Sequence, residues 1–335
     1  MHLPDGFLNR PMVLTTAALG TAGLALALRS AKRLPPSRVP LLGLSAAFVF
    51  AAQMVNFPVA GGTSGHLMGS VLVAALLGPA AAVVVMSAVL ILQCLMFADG
   101  GITALGANIL NMAVIGGAGG GALYHLVRHL TPSMPFQIGA AGIVAWGATV
   151  VASLACAAEL AASGTVGWRV GLGAMGGVHM LIGIGEGLIT MLVLAAVAKA
   201  RPDLLVPVET HGFEPIMPDS PPVPARSAVA AAPRSLRPMI LPGLIISAAV
   251  AMLLAPHASS LPDGLEKTAQ ALGFAHHQAA SPVIPAPLPD YAVPGIGSEM
   301  WATAVAGVMG TAAMFLLGLL IAKLARLRRR TRAYV

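Results

Sequence analysis

Apolar residues run through this chain in long blocks, without the alternation of buried and solvated positions that marks a water-soluble fold. The blocks cover about 11–28, 39–57, 66–77, 80–97, 104–124, 137–160 and 173–198, then 239–256 and 300–322. Most approach the roughly 20 apolar residues that a helix needs to cross a bilayer. The third is too short to cross alone and is closed by Gly78-Pro79, because proline cannot continue the helical hydrogen-bond ladder. It predicts a helix that begins below the outer surface and includes His66, reached through the Gly-rich loop 58–65. Irregular backbone at that depth requires cover from surrounding protein. The predicted fold class is all-α: a polytopic membrane bundle of about seven helices, then a C-terminal two-helix hairpin with an outer loop.

The polar gaps divide the chain. Residues 1–200 make the bundle. Residues 201–238 are Pro-rich and aperiodic, and read as a flexible cytoplasmic linker. Residues 239–335 make the hairpin, whose outer loop carries Pro262-Asp263-Gly264-Leu265-Glu266, His276-His277 and Pro289-Asp290-Tyr291.

Basic residues orient these segments. With the N-terminus outside, the inner side receives all of the 19 Lys and Arg residues except Arg10, Arg169 and Lys267. Cytoplasmic loops carry such an excess, so the expected topology is N-terminus out and C-terminus in, across a cytoplasmic (inner) membrane. Composition agrees: charged residues are 9% of the 335, against about 25% in soluble domains. The net charge of +7 does not mark a nucleic-acid face, because its members sit in short clusters between apolar runs. Polar Asp5 and Asn9 interrupt the start, so no cleavable signal peptide is expected. Cys94 and Cys156 lie in apolar runs and are expected to pack as small apolar residues. None of the four lysines follows a glycine, so a P-loop is absent, as is His-Glu-x-x-His. An ATP-driven cycle would borrow its ATPase from another subunit. The chain is not expected to be an enzyme.

Candidate chemistry begins at the first atom. Met1-His2 offers an amine, the His2 amide nitrogen and the His2 imidazole. With the amide deprotonated, they close a five-membered and then a six-membered chelate ring around one ion. A fourth nitrogen completes a square, the geometry of Ni(II) or Cu(II) rather than tetrahedral Zn(II). His66, after Gly61-Gly62-Thr63-Ser64-Gly65, is the leading fourth ligand. Thr63 and Ser64 are candidates to orient its ring through the second nitrogen, and Asp5 and Asp99 to add negative charge nearby. Each histidine alone also suits an ordinary structural place.

Other polar residues are less telling. Glu186, within Gly183-Ile184-Gly185-Glu186-Gly187, is an ionisable group mid-helix, a functional candidate by its cost. His179 lies seven residues earlier on nearly the same helical face, so a relay and a pairing between helices both stay open. An intramembrane hydrolase built on these two is the competing class; it lacks a nucleophile or metal triad. A metal sensor is a third reading. Glu159 is expected in the headgroup region, His125 and His129 in a solvated inner loop, and Met54, Met68 and Met112 in packing.

Three ordered motifs resemble the NikM/CbiM family, the substrate-capture components of energy-coupling factor (ECF) transporters for nickel and cobalt. They are Met1-His2-Leu3-Pro4-Asp5-Gly6-Phe7-Leu8, the Gly61–Leu67 stretch, and Asp99-Gly100-Gly101-Ile102-Thr103-Ala104-Leu105-Gly106-Ala107-Asn108. The back block, with Pro262-Asp263-Gly264-Leu265-Glu266, resembles the small NikN/CbiN partner, fused in one chain. The resemblance implies metal held by Met1, His2 and His66, with Ni(II) preferred over Co(II) as transported substrate and no organic cofactor. It also implies partners: a scaffold transmembrane subunit, two ATP-binding subunits and the lipid bilayer. A cobalt importer for cobalamin biosynthesis is the alternative. Leu3 stands where the family is expected to carry Ile, an apolar exchange that leaves the backbone donors intact.

Overall fold

The computed structural model describes residues 1–31, 34–130, 133–205 and 236–330. Lys32, Arg33, Arg226, Arg234, Arg332 and most of the linker lie outside the described residues. Among the described residues, seven helices occupy the front block. They are α1 (Arg10–Ala31), α2 (Val39–Gln53), α3 (Ser70–Leu77), α4 (Pro79–Phe97), α5 (Leu105–His129), α6 (Met134–Ala162) and α7 (Trp168–Ala200). The back block contributes α8 (Pro238–His257), a short amphipathic α9 (Gly264–Leu272) and α10 (Glu299–Arg330). Seven of these helices are long and apolar enough to span a bilayer; α2 and α3 are shorter.

Burial sorts the helices by place. Every residue of α3 is buried, and α4 is buried along most of its length, so these two form the centre of the bundle. The peripheral helices α1 and α8 expose Leu14, Leu26, Leu241 and Ile245, which suits contact with lipid. Gly78, with φ of 89°, and Pro79 break the chain between α3 and α4 as expected. The two blocks meet along α2 and α10. A Cβ on Gly318 would stand 2.6 Å from the Gly43 Cα, so only paired glycines let these backbones approach so closely. Cys94 and Cys156 are buried free thiols.

Three expectations are corrected. The loop 58–65 contains an antiparallel hairpin, β1 (Phe57–Val59) and β2 (Thr63–Gly65), and α2 ends at Gln53. His66 therefore follows a strand and precedes α3 by several residues; it does not open the helix. Glu159 is buried within the protein rather than solvated, and accepts a 2.8 Å bond from Asn111 Nδ2. His125 and His129 belong to the last turns of α5 rather than to a loop, with His125 half-buried and His129 exposed.

Candidate metal centre

The first seven residues thread inward between the helix ends. Met1, Leu3, Asp5 and Phe7 are all buried. Leu3 is held in strand-like fashion: its N–H donates to Asn108 Oδ1 at 2.8 Å, and its carbonyl accepts from Gly101 N–H at 2.8 Å and Asn108 Nδ2 at 3.1 Å. Asp5 is an anchor. Its Oδ1 accepts from the Thr103 N–H at 2.8 Å and the Thr103 hydroxyl at 2.6 Å, and its Oδ2 from Val283 N–H at 3.2 Å. Its carboxylate thereby holds the segment in place.

This anchoring delivers Met1 and His2 to the open end of the β1–β2 hairpin, beside His66. The His2 and His66 rings lie nearly parallel, 11° apart, with centroids 5.2 Å apart. With metal–nitrogen bonds of about 2 Å, each ring centre would stand about 3 Å from a shared ion, so this separation is within reach of one ion. Among the described residues no three His, Cys, Asp or Glu side chains converge as a ready-made cage. Backbone nitrogens would have to complete the donor set.

Two carboxylates hold the nitrogens that such an ion would need. The Met1 amine donates to Asp263 Oδ2 at 2.6 Å, and His2 Nδ1 lies 3.0 Å from Asp99 Oδ1. The Tyr291 hydroxyl donates to the other Asp99 oxygen at 2.5 Å, and its ring stacks on Phe97 with centroids 4.7 Å apart. Among the described residues, His2 Nε2 finds no hydrogen-bond partner although it is buried. A cavity of about 500 Å³ opens beside His2, His66, Asp99, Asp263 and Tyr291.

Electrostatics follow from burial set against these pairs. Burial disfavours the Met1 ammonium, but the charge and hydrogen bond of Asp263 outweigh it and raise the amine above its ordinary value. Burial likewise penalises both carboxylates. The ammonium beside Asp263 and the His2 ring beside Asp99 nevertheless hold each well below the usual carboxylate range. His66 is depressed to about 3 by burial first, then by the Met1 ammonium and His2. It is neutral at physiological pH, with a lone pair to give. Burial and the Asp99 charge push the Tyr291 hydroxyl up, so it stays a donor.

Asp263 is the residue that the sequence reading missed. Its second oxygen caps α9 through the N–H groups of Leu265 and Glu266, both at 2.8 Å, while Glu266 accepts from the Asp263 N–H at 3.0 Å. Asp followed three residues later by Glu is a readable capping box. The rest of the motif is also accounted for by contacts. Pro262 carbonyl accepts from the Ser64 N–H at 2.9 Å and the Thr63 hydroxyl at 3.0 Å; the Ser64 hydroxyl donates to Leu261 carbonyl at 2.7 Å. Thr63 and Ser64 thus splice the hairpin to the back block and do not orient His66, whose Nδ1 bonds the Leu67 carbonyl at 3.1 Å. Gly264 packs on His179: a Cβ there would stand 2.7 Å from the ring Cε1. Leu265 is buried in a core cluster with Leu3 and Phe7.

His179 and Glu186 are both buried but share no hydrogen bond. His179 Nδ1 bonds the Met175 carbonyl at 2.8 Å, whereas Glu186 accepts from the N–H groups of Met68 and Gly69. His276 and His277 have exposed side chains on a turn whose backbone packs on Gly6, and Ala279 N–H just beyond it donates to the Asp5 carbonyl at 2.9 Å.

Comparison with known proteins decides the family. Residues 2–204 match CbiM, described as the cobalt uptake substrate-specific transmembrane region. The chain belongs to the CbiM family. Beyond the CbiM region, residues 237–327 match the PDGLE domain. A putative fused nickel transport protein NikMN of Archaeoglobus fulgidus is 35% identical over 336 residues, covering 97% of this chain and 99% of the relative. The fused nickel transport protein NikMN of Rhodobacter capsulatus is 35% identical over 223 residues, 62% of this chain and 64% of its own. A solved structure of a truncated transition metal transporter matches with a TM-score of 0.54 and 33% identity, covering 60% of this chain and 99% of that one. This CbiM-family chain is a multi-pass membrane component of nickel or cobalt transport that works with other subunits, and not an enzyme.

Proposed function

We propose that this chain captures Ni(II), in preference to Co(II), for an ECF-type importer. The ion is held by the Met1 amine, the deprotonated His2 amide, the His2 imidazole and His66. The carrying observation is that His2 and a neutral His66 line one cavity together with Asp263, the carboxylate that holds the buried Met1 amine. Four nitrogens in a plane favour Ni(II). Capture proceeds by exchange. The amine leaves Asp263 and loses a proton, His2 leaves Asp99 with its ring proton passing from Nδ1 to Nε2 so that Nδ1 closes the six-membered ring, and the amide loses a second proton. The chelate then carries one net positive charge, the same as the ammonium it replaces, so Asp263 faces an equal charge before and after.

The bundle 1–200 does the binding in this reading, and the hairpin 239–335 seats Asp263 and Tyr291 over it. The linker 201–238 is a cytoplasmic tether. The N-terminus and the loop between α8 and α10 face outward and the C-terminus inward, which suits the basic residues on the opposite side. A scaffold transmembrane subunit and two ATP-binding subunits supply the energy for inward release.

A tag before Met1, or a proline at position 2 that removes the amide proton, should abolish tight Ni(II) binding; retained binding refutes the chelate. The nickel adduct should be yellow and diamagnetic. Cobalt import for cobalamin synthesis is the second reading, favoured by the description of the matching family as cobalt uptake. Titration of metal-free protein with Ni(II), Co(II), Cu(II) and Zn(II) separates the two.

A further inference from the structure

Glu186 is a fully buried carboxylate in the middle of α7, a place where an ionisable group is costly. Its surroundings explain how the helix brings it there. A Cβ on Gly185 would stand 2.4 Å from the Phe57 ring of β1, and one on Gly187 would stand 2.7 Å from the Gly142 carbonyl of α6. The flanking glycines let α7 press against both the hairpin and α6, with Glu186 facing the turn ahead of α3. Among the described residues no Lys, Arg or His pairs with it in an ion pair. Its partners are two amides: it accepts from Met68 N–H at 2.5 Å and Gly69 N–H at 2.9 Å.

The Met68 N–H is one end of the Leu67–Met68 peptide. The other end is the Leu67 carbonyl, which His66 Nδ1 contacts at 3.1 Å. Glu186 and the His66 ring therefore grip opposite ends of a single peptide plane. A carbonyl can only accept, so the proton in that contact lies on His66 Nδ1, and Nε2 keeps its lone pair. A carboxylate bonded to the N–H end strengthens the carbonyl as an acceptor. The next peptide is clamped as well: the Met68 carbonyl accepts from Gln53 Nε2 at 2.9 Å, and Gln93 Nε2 donates to Gln53 Oε1 at 2.9 Å.

We propose that Glu186 is a positioning residue for the metal, acting through the Leu67–Met68 peptide to fix the ring orientation and tautomer of His66 so that Nε2 is the donor. This inference rests on the ligand set proposed above, in which His66 supplies the fourth nitrogen.

The test is a double-mutant cycle on the full chain with Ni(II) alone as probe. Glu186→Gln should weaken binding about 10–100-fold, the usual cost of losing a group that orients a ligand. Its nickel absorption band should move to that of His66→Ala. In a His66→Ala background, Glu186→Gln should cost nothing further. Wild-type affinity and spectrum in folded Glu186→Gln, or an undiminished loss in the His66→Ala background, would overturn the inference. If His66→Ala itself leaves affinity unchanged, the ligand set fails instead. Should Glu186→Gln not fold, nitrogen NMR of histidine-labelled native protein decides. Metal-free His66, assigned against His66→Ala, should carry its proton on Nδ1; a proton on Nε2 overturns the proposal.

Discussion

The Met1 amine and the Asp263 carboxylate lie 2.6 Å apart although 262 positions separate them in the chain. The same carboxylate caps α9, so its position is set by the back block and not by the N-terminal segment. A single side chain thereby ties the PDGLE segment to the first atom of the protein. That pairing shapes how metal, protons and the back block depend on one another.

Nickel affinity should rise steeply with pH. The amine and the amide each release a proton on binding, and Asp263 holds the amine above its ordinary value, so both protons are present at neutral pH. Below the amine pKa, each proton contributes a factor of about ten per pH unit, so affinity should fall about a hundredfold per unit of acidification. His66, depressed to about 3, stays neutral and adds nothing to this slope. Titrations across the neutral range read the slope directly. A slope near zero would exclude the amine and amide as ligands.

Asp263→Asn should shift that profile to lower pH. Asparagine still caps α9, because its side-chain oxygen accepts the same bonds. It no longer stabilises the ammonium, so the amine gives up its proton at lower pH, and the fall in affinity begins there too. Comparing Ni(II) affinity against pH for the two proteins checks this; superimposable curves would count against Asp263 as the amine's partner.

Gly264→Ala should pry the PDGLE segment from α7. The new methyl would lie 2.7 Å from His179 Cε1 and 2.8 Å from Ile182 Cδ1. Overpacking of this kind costs about 1–3 kcal/mol. Proteolysis near residue 261 should accelerate, and His179→Ser should restore protection by making room. If His179→Ser worsens the defect instead, His179 does more than form the floor of this contact.

Tyr291→Phe should loosen the turn at Pro289–Tyr291 while keeping the ring on Phe97. A hydrogen bond to a charged acceptor is worth about 1.5–3 kcal/mol. Metal-free protein should melt at lower temperature and exchange its amides faster around residue 291. No change in either measurement would show that Asp99 is held by His2 alone.

Much of this architecture is legible in the sequence because lipid imposes a coarse rule. Apolar runs of spanning length announce their helices, and Gly78-Pro79 announces the break before α4. Met1, His2 and His66 could be grouped from chelate chemistry and a Gly-rich loop. What failed was partner choice. Three-residue strands such as Thr63–Gly65 are too short to leave a period-two signal, so the hairpin read as loop. Thr63 and Ser64 look like supports for the adjacent His66, yet their hydroxyls reach carbonyls at Leu261 and Pro262, contacts with no local signature. Glu159 found a buried Asn111 on another helix, which hydropathy does not register. The capping box at Asp263 was readable, but its free oxygen could be matched to the amine only in three dimensions.

The splice between Ser64 and Leu261-Pro262 has a mechanical consequence. Ser64 lies two positions before His66, and Pro262 immediately precedes Asp263. The imidazole and the carboxylate over the amine therefore hang from the same splice. Any displacement of the splice would therefore disturb the imidazole and the carboxylate together.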